Sequence, residues 1–201
     1  MKTRRRSEHN GRVTERPTFL GEPPASAEVE AAFAGDREDD GYVANLTRLW
    51  AWRPDVLSEF GELRTKVVNG WGLTDRDRAV LVTASASERG DAYCSLAWGA
   101  RLAALTDEDT AVRVLAGEPA PGLSERESAL ATWARQVVRD PNATTEADVA
   151  RLRKVGLDDR AIFEATAFVA FRLAFSTVND ALGAAPDRQL AEAVPAPSAT
   201  P

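Results

Sequence analysis

The sequence predicts an all-α protein with a single helical domain, and three observations carry that expectation. No run of residues alternates apolar and polar with period two, so a sheet has no candidate strands. From about residue 42 to residue 183 apolar residues recur instead at helical spacing, punctuated by Gly, Pro and Asn. Several of these segments open on Thr, Ser or Asp, which cap helix N-termini.

Taken in order, residues 1–40 are broken by Gly11, Pro17, Gly21, Pro23 and Pro24 and by acids from Asp36 to Asp40. They read as a largely irregular arm, with one short helix around Ala27 to Phe33. Tyr42 to Trp52 is a short amphipathic segment stopped by Pro54, which suits the first turn of the next helix. That helix, Asp55 to Val68, places Val56, Leu57, Phe60, Leu63 and Val67 on one side, and Asn69-Gly70 ends it. Thr74 or Asp75 caps a helix to about Ser87, Glu88-Arg89-Gly90 forms a turn, and a helix from near Asp91 reaches Leu105.

A shorter helix, Asp107 to Leu115, precedes the loop Gly117-Glu118-Pro119-Ala120-Pro121-Gly122. Ser124 and Glu127 form a capping box for a helix to Arg139, which Asp140-Pro141-Asn142 stops. Thr145 to Lys154 follows, and Asp158 caps the longest helix, to about Leu182, with Gly183 as its stop. That last helix carries Ile162, Phe163, Phe168, Val169, Phe171, Leu173, Phe175 and Val178, so it belongs in a core or at a subunit interface. The expected organisation is an arm over 1–40, a helical domain over 41–187 and a disordered tail over 188–201.

Composition narrows the function. The 201 residues carry a net charge of −6, which offers no broad basic surface for nucleic acid. The basic run Lys2 and Arg4-Arg5-Arg6 reads as a solvated tail, and no apolar stretch follows it to make a signal peptide. No stretch reaches the roughly 18 uninterrupted apolar residues of a membrane span. The single cysteine allows no internal disulfide and suggests a reducing, cytoplasmic setting. With one cysteine and one histidine, His9, neither a metal site nor a Ser-His-Asp triad is expected, and no organic cofactor either.

The chemistry concentrates in Ser87-Glu88-Arg89-Gly90-Asp91-Ala92-Tyr93-Cys94-Ser95-Leu96-Ala97-Trp98. This stretch resembles the core motif of the carboxymuconolactone decarboxylase / AhpD-like alkylhydroperoxidase family. There a helix carries Cys-x-x-Cys and then a His, with a Glu about one helix earlier. Here the first Cys position is Asp91, the second is Cys94, the His position is Trp98 and the Glu position is Ala79. The resemblance extends over roughly residues 41 to 187, through Gly41 to Leu46 with Arg53-Pro54, Leu73 to Arg78, Leu123 to Glu127, Thr145 to Asp148 and Phe175 to Gly183. It implies a compact AhpD-like helical bundle that assembles into dimers, trimers or hexamers. It also implies a site near the N-terminus of the motif helix, often close to an interface. Family activities include thiol-dependent peroxide reduction and cofactor-independent decarboxylation of a lactone acid. With three of the four positions changed, the disulfide cycle cannot run inside this chain.

Each candidate residue has two readings. Asp91 is an N-cap, or a carboxylate beside Cys94 that acts as a base or holds a substrate. Cys94 is a small buried hydrophobe, or a thiol pulled down by the helix dipole and pushed up by Asp91. Trp98 is a core aromatic, or the wall of a pocket for a flat molecule. Arg172, inside an apolar helix, needs a carboxylate, a subunit contact or an anionic ligand. Arg101 is a second candidate for an anionic group, and Tyr93 and Tyr42 are candidate pocket hydroxyls; Glu88 and Arg89 read as solvated turn residues. The expected function is a cofactor-independent lyase, isomerase or hydrolase acting on a small apolar or aromatic acid, with Asp91 doing the proton work. A non-catalytic binding or scaffold protein and a one-cysteine peroxidase using Cys94 are the alternatives.

Overall fold

A computed structural model describes residues 17–193, apart from position 71 and, beyond residue 190, the side chains. Ten α-helices make up the described chain: α1 (Ala27–Asp39), α2 (Asn45–Trp50), α3 (Pro54–Val68), α4 (Asp75–Arg89), α5 (Ala92–Leu105), α6 (Glu108–Ala116), α7 (Glu125–Arg139), α8 (Glu146–Lys154), α9 (Asp159–Ala181) and α10 (Arg188–Ala193). A 3₁₀ turn, Pro141–Ala143, links α7 to α8, and the described residues contain no strand. Arg4-Arg5-Arg6, His9 and the chain end beyond residue 193 lie outside the described residues.

The helices begin where short polar side chains satisfy free backbone N–H groups. Thr74 and Asp77 close a reciprocal capping box on α4, as Ser124 and Glu127 do on α7 and Thr145 and Asp148 on α8. Asp107 and Asp158 cap α6 and α9. Each cap contributes about 1 kcal/mol. Gly90 and Gly117 end α4 and α6 at φ 80° and 76°, a left-handed conformation that a side chain would strain.

The centre of the fold is α4. Ala79 to Ala86 are all buried, and α4 packs against α5, α6, α7 and α9. Leu81, Leu102 and Leu130, each 0% exposed, interlock α4, α5 and α7, and each contributes about 1.5–3 kcal/mol by burial. A smaller cluster of Val29, Phe33, Val43 and Ala51 ties α1 to the α2 region. Although α9 is long and apolar enough to cross a membrane, it buries Arg172, Ser176 and Asn179 and packs against α3, α4, α7 and α8 as a core helix.

Three segments differ from expectation. The arm over 1–40 carries α1, nearly twice the expected helix, because Ser26 caps it and Val29 and Phe33 find a core. Glu88 and Arg89 complete the last turn of α4 rather than form a free turn: Arg135 and Arg139 pair with Glu88, and Arg89 with Asp180. Residues 188–193 form α10 rather than tail, anchored by the buried Asp187 just before it. A strap runs over the end of α9: Phe19 N–H donates to Leu182 O at 2.8 Å and Ala185 N–H to Pro17 O at 3.0 Å.

Candidate functional site

The motif turn puts Asp91 at the N-cap of α5, where its Oδ1 accepts the Cys94 N–H at 2.8 Å. Its other oxygen, Oδ2, accepts the Ser176 hydroxyl of α9 at 2.5 Å. Asp91 is 0% exposed, so both bonds are shielded from water. One carboxylate therefore caps the motif helix and ties it to α9. Capping and proximity to Cys94 are both realised in the same residue.

Cys94, 3% exposed, lies one turn into α5. Arg172 reaches it from α9, with Nη2 donating to Sγ at 2.9 Å. Burial pushes the thiol up to about 12; the Arg172 guanidinium pulls it down and the Asp91 carboxylate pushes it further up. The net shift favours the neutral thiol over the thiolate.

Val82, Ser85, Arg89, Cys94, Arg172 and Ser176 enclose a cavity of about 10 Å³. That volume holds about one water. Larger hollows lie elsewhere: about 540 Å³ beside the loop at residues 117–123 and about 710 Å³ between α1 and α3. Neither is lined by a residue of the motif.

Trp98 stands outside this cavity. Its ring is surrounded by guanidinium groups, with Arg78 at 5.2 Å, Arg101 at 5.3 Å and Arg172 at 5.7 Å from the centroid. Arg172 and Arg64 both approach the Phe175 ring, at 5.6 and 5.0 Å. Trp50 and Phe60 stack on Phe175 and complete an aromatic layer, and Asn179 Oδ1 accepts the Trp50 indole N–H at 2.8 Å.

The structure thus joins Asp91, Cys94 and Arg172 directly, and places Arg172 and Arg101 both against the Trp98 ring. Tyr93 does not join them. Its hydroxyl donates to the buried Asp187, whose other oxygen accepts the Asn45 N–H at 2.9 Å. Burial, with the Asp187 charge beside it, pushes the Tyr93 phenol far up, while burial also raises the Asp187 carboxyl. Tyr42 is half-buried with its own phenol raised by burial. Among the described residues no group of three His, Cys, Asp or Glu side chains converges as a metal site.

Sequence reasoning passed over Ser176, Arg64 and Arg78. Ser176 sits one helical turn after Arg172, on the same face, which is a spacing signal that Asp91 alone does not supply. Arg64 and Arg78 lie on two helices whose facing surfaces no local pattern specifies.

Solved structures with this fold share little sequence. A peroxidase-related protein from Ralstonia eutropha, described as an alkylhydroperoxidase AhpD core, superposes with a TM-score of 0.78 at 21% identity, covering 88% of this chain and 96% of that one. A peroxidase-related protein from Silicibacter sp. gives 0.77 at 23% identity, over 89% and 97%. The debrominase Bmp8 gives 0.70 at 16% identity over 90% and 96%, and a variant of it has been solved with 2,3,4-tribromopyrrole bound. No protein-family model matches the sequence, and no curated protein is significantly similar to it. The fold is therefore that of the AhpD core, an all-α architecture that carries peroxidase-related proteins and a debrominase.

Proposed function

We propose that this protein is a divergent member of the carboxymuconolactone decarboxylase / AhpD-like family, acting without cofactor as an acid–base enzyme, a lyase or isomerase, on a small apolar or aromatic acid. The observation that carries this reading is the Asp91–Ser176 hydrogen bond at the wall of the Cys94 cavity. Asp91 cannot meet a substrate directly, because both its oxygens are engaged. Ser176 can pass a proton to it and take one from a carbon or hydroxyl in the cavity, and the adjacent Arg172 would stabilise the negative charge that results. Cys94 then lines the site as a neutral group, Trp98 and Arg101 flank its approach, and Tyr93 fixes α5 from behind. A small brominated ring bound in the debrominase of the same fold is in keeping with an aromatic ligand.

A second reading, a non-catalytic binding or scaffold protein, is favoured by the 10 Å³ cavity, whose walls of α4, α5 and α9 would have to part to admit an acid. Deuterium exchange separates the two readings. Small aromatic and unsaturated acids are incubated with the protein in D₂O and followed by NMR. Enzyme-dependent exchange beside the carboxyl group, abolished by Asp91→Asn and by Ser176→Ala, supports the first. Asn caps a helix about as well as Asp, so Asp91→Asn tests the proton and not the fold. Binding without exchange, unaffected by either substitution, supports the second. By resemblance we also propose a homo-oligomer, consistent with Phe163 at 71% and Leu63 at 42% exposure.

A further inference from the structure

The chain carries an unneutralised knot of arginines. Arg64 of α3, Arg78 of α4, Arg101 of α5 and Arg172 of α9 gather around the Trp98 and Phe175 rings. Every other arginine cluster in the core has its acid: Arg76 pairs with Glu127, Arg126 with Asp77, and Arg135 with Glu88. These four form no salt bridge among the described residues. The buried Nε atoms of Arg64, Arg78 and Arg172 have no hydrogen-bond partner among the described residues.

Burial and mutual repulsion are both visible. Desolvation lowers the Arg64 and Arg78 guanidinium groups first, and the neighbouring arginines lower them further. Asp75 offsets part of this for Arg78. Asp91, which shares Cys94 as a neighbour with Arg172, directs its oxygens to the Cys94 N–H and Ser176 hydroxyl instead. Ring faces attract the cations but carry no net charge and accept nothing from an in-plane N–H. A buried cation is stable when paired and hydrogen-bonded, and among the described residues no carboxylate supplies that pairing for these four. Arg172 is 8% exposed, Arg64 and Arg78 are half-buried and Arg101 is exposed, so the group runs from the cavity wall to solvent.

We propose that Arg64, Arg78, Arg101 and Arg172 form a binding site for a small oxyanion carrying at least two negative charges, a dicarboxylate or a phosphate group, held beside Trp98. The guanidinium fork matches both anions, and a single negative charge leaves most of the four cations unanswered. This deepens the reading of the substrate as an acid, and rests on that reading only for the occupant being the substrate.

Inorganic phosphate and malonate are titrated into the full chain at constant ionic strength, with chloride as the control, and binding is followed by calorimetry and by the melting temperature. Saturable binding of either, absent with chloride, is expected, and the stronger of the two names the chemical source. Arg78→Gln and Arg64→Gln should each weaken it about tenfold or more, while Arg78→Lys, which keeps the charge, should lose less. In buffer without either anion, both Gln variants should melt no lower than the parent, because repulsion is relieved. No binding beyond chloride overturns the proposal, and so does unchanged affinity in both Gln variants. If a Gln variant does not fold, the parent titration and Arg78→Lys still decide. Anion binding with no deuterium exchange would leave this site standing and remove the acid–base reading, whereas exchange without saturable anion binding would do the reverse.

Discussion

At the scale of single residues, Cys94 and Asp91 show how burial and one hydrogen bond set the chemistry of a helix start. Burial holds the Cys94 thiol at about 12. Iodoacetamide at pH 8 should therefore leave the folded protein unmodified for hours and label it once on unfolding, as read by intact mass; rapid native labelling would contradict the buried geometry. The same shift has a sign for stability. Cys94 binds its proton more tightly folded than unfolded, so its contribution is intact below the unfolded value near 8.5 and declines as pH rises towards 12. Asp91 was legible as a cap because a short acid after Gly90 opens an apolar run. Its bond to Ser176 was not, because 85 residues separate the two and only the tertiary fold, with α5 and α9 both set against α4, brings them together.

At the scale of elements, the helices differ in how firmly they are held. Leu81, 0% exposed, sits where α4 meets its neighbours, whereas α3 buries no residue fully and Leu63 is 42% exposed. Leu81→Ala should cost about 2–5 kcal/mol, and Leu63→Ala no more than about 0.5 kcal/mol in the monomer. Chemical denaturation of both variants checks the contrast, and a large, concentration-dependent loss in Leu63→Ala would place α3 at a subunit contact. Helix starts were read from sequence almost to the residue, since Thr74, Ser124, Thr145 and Asp158 act within a few positions of themselves. The one-sided apolar pattern of α3 was legible, but its exposure was not: periodicity states which residues share a face, not whether anything covers it. The arginine knot escaped for a related reason, because Arg64 and Arg78 look like the polar side of their own helices until α9 is set between them.

At the scale of the whole molecule, both ends of the described chain are tied to the helical body. Pro17 to Phe19 bind Leu182 and Ala185, and Asp187 joins Asn45 of α2 to Tyr93 of α5. A chain ending at Ala184 would leave the buried Tyr93 hydroxyl and the Asn45 N–H without acceptors, at a cost of about 3 kcal/mol or more. Its melting temperature should fall accordingly, while Asp187→Asn, which keeps an acceptor, should lose less.

The double duty of Asp91 also limits what can stand at its position. Where the resemblance places a thiol, this chain has a carboxylate that starts α5 and receives the Ser176 hydroxyl. A thiol at position 91 would remove a cap worth about 1 kcal/mol and leave a buried hydroxyl unanswered. It would also set a second sulfur beside a first that Arg172 already holds. The start of α5 and its tie to α9 both depend on this one carboxylate, so position 91 cannot change without loosening the two together.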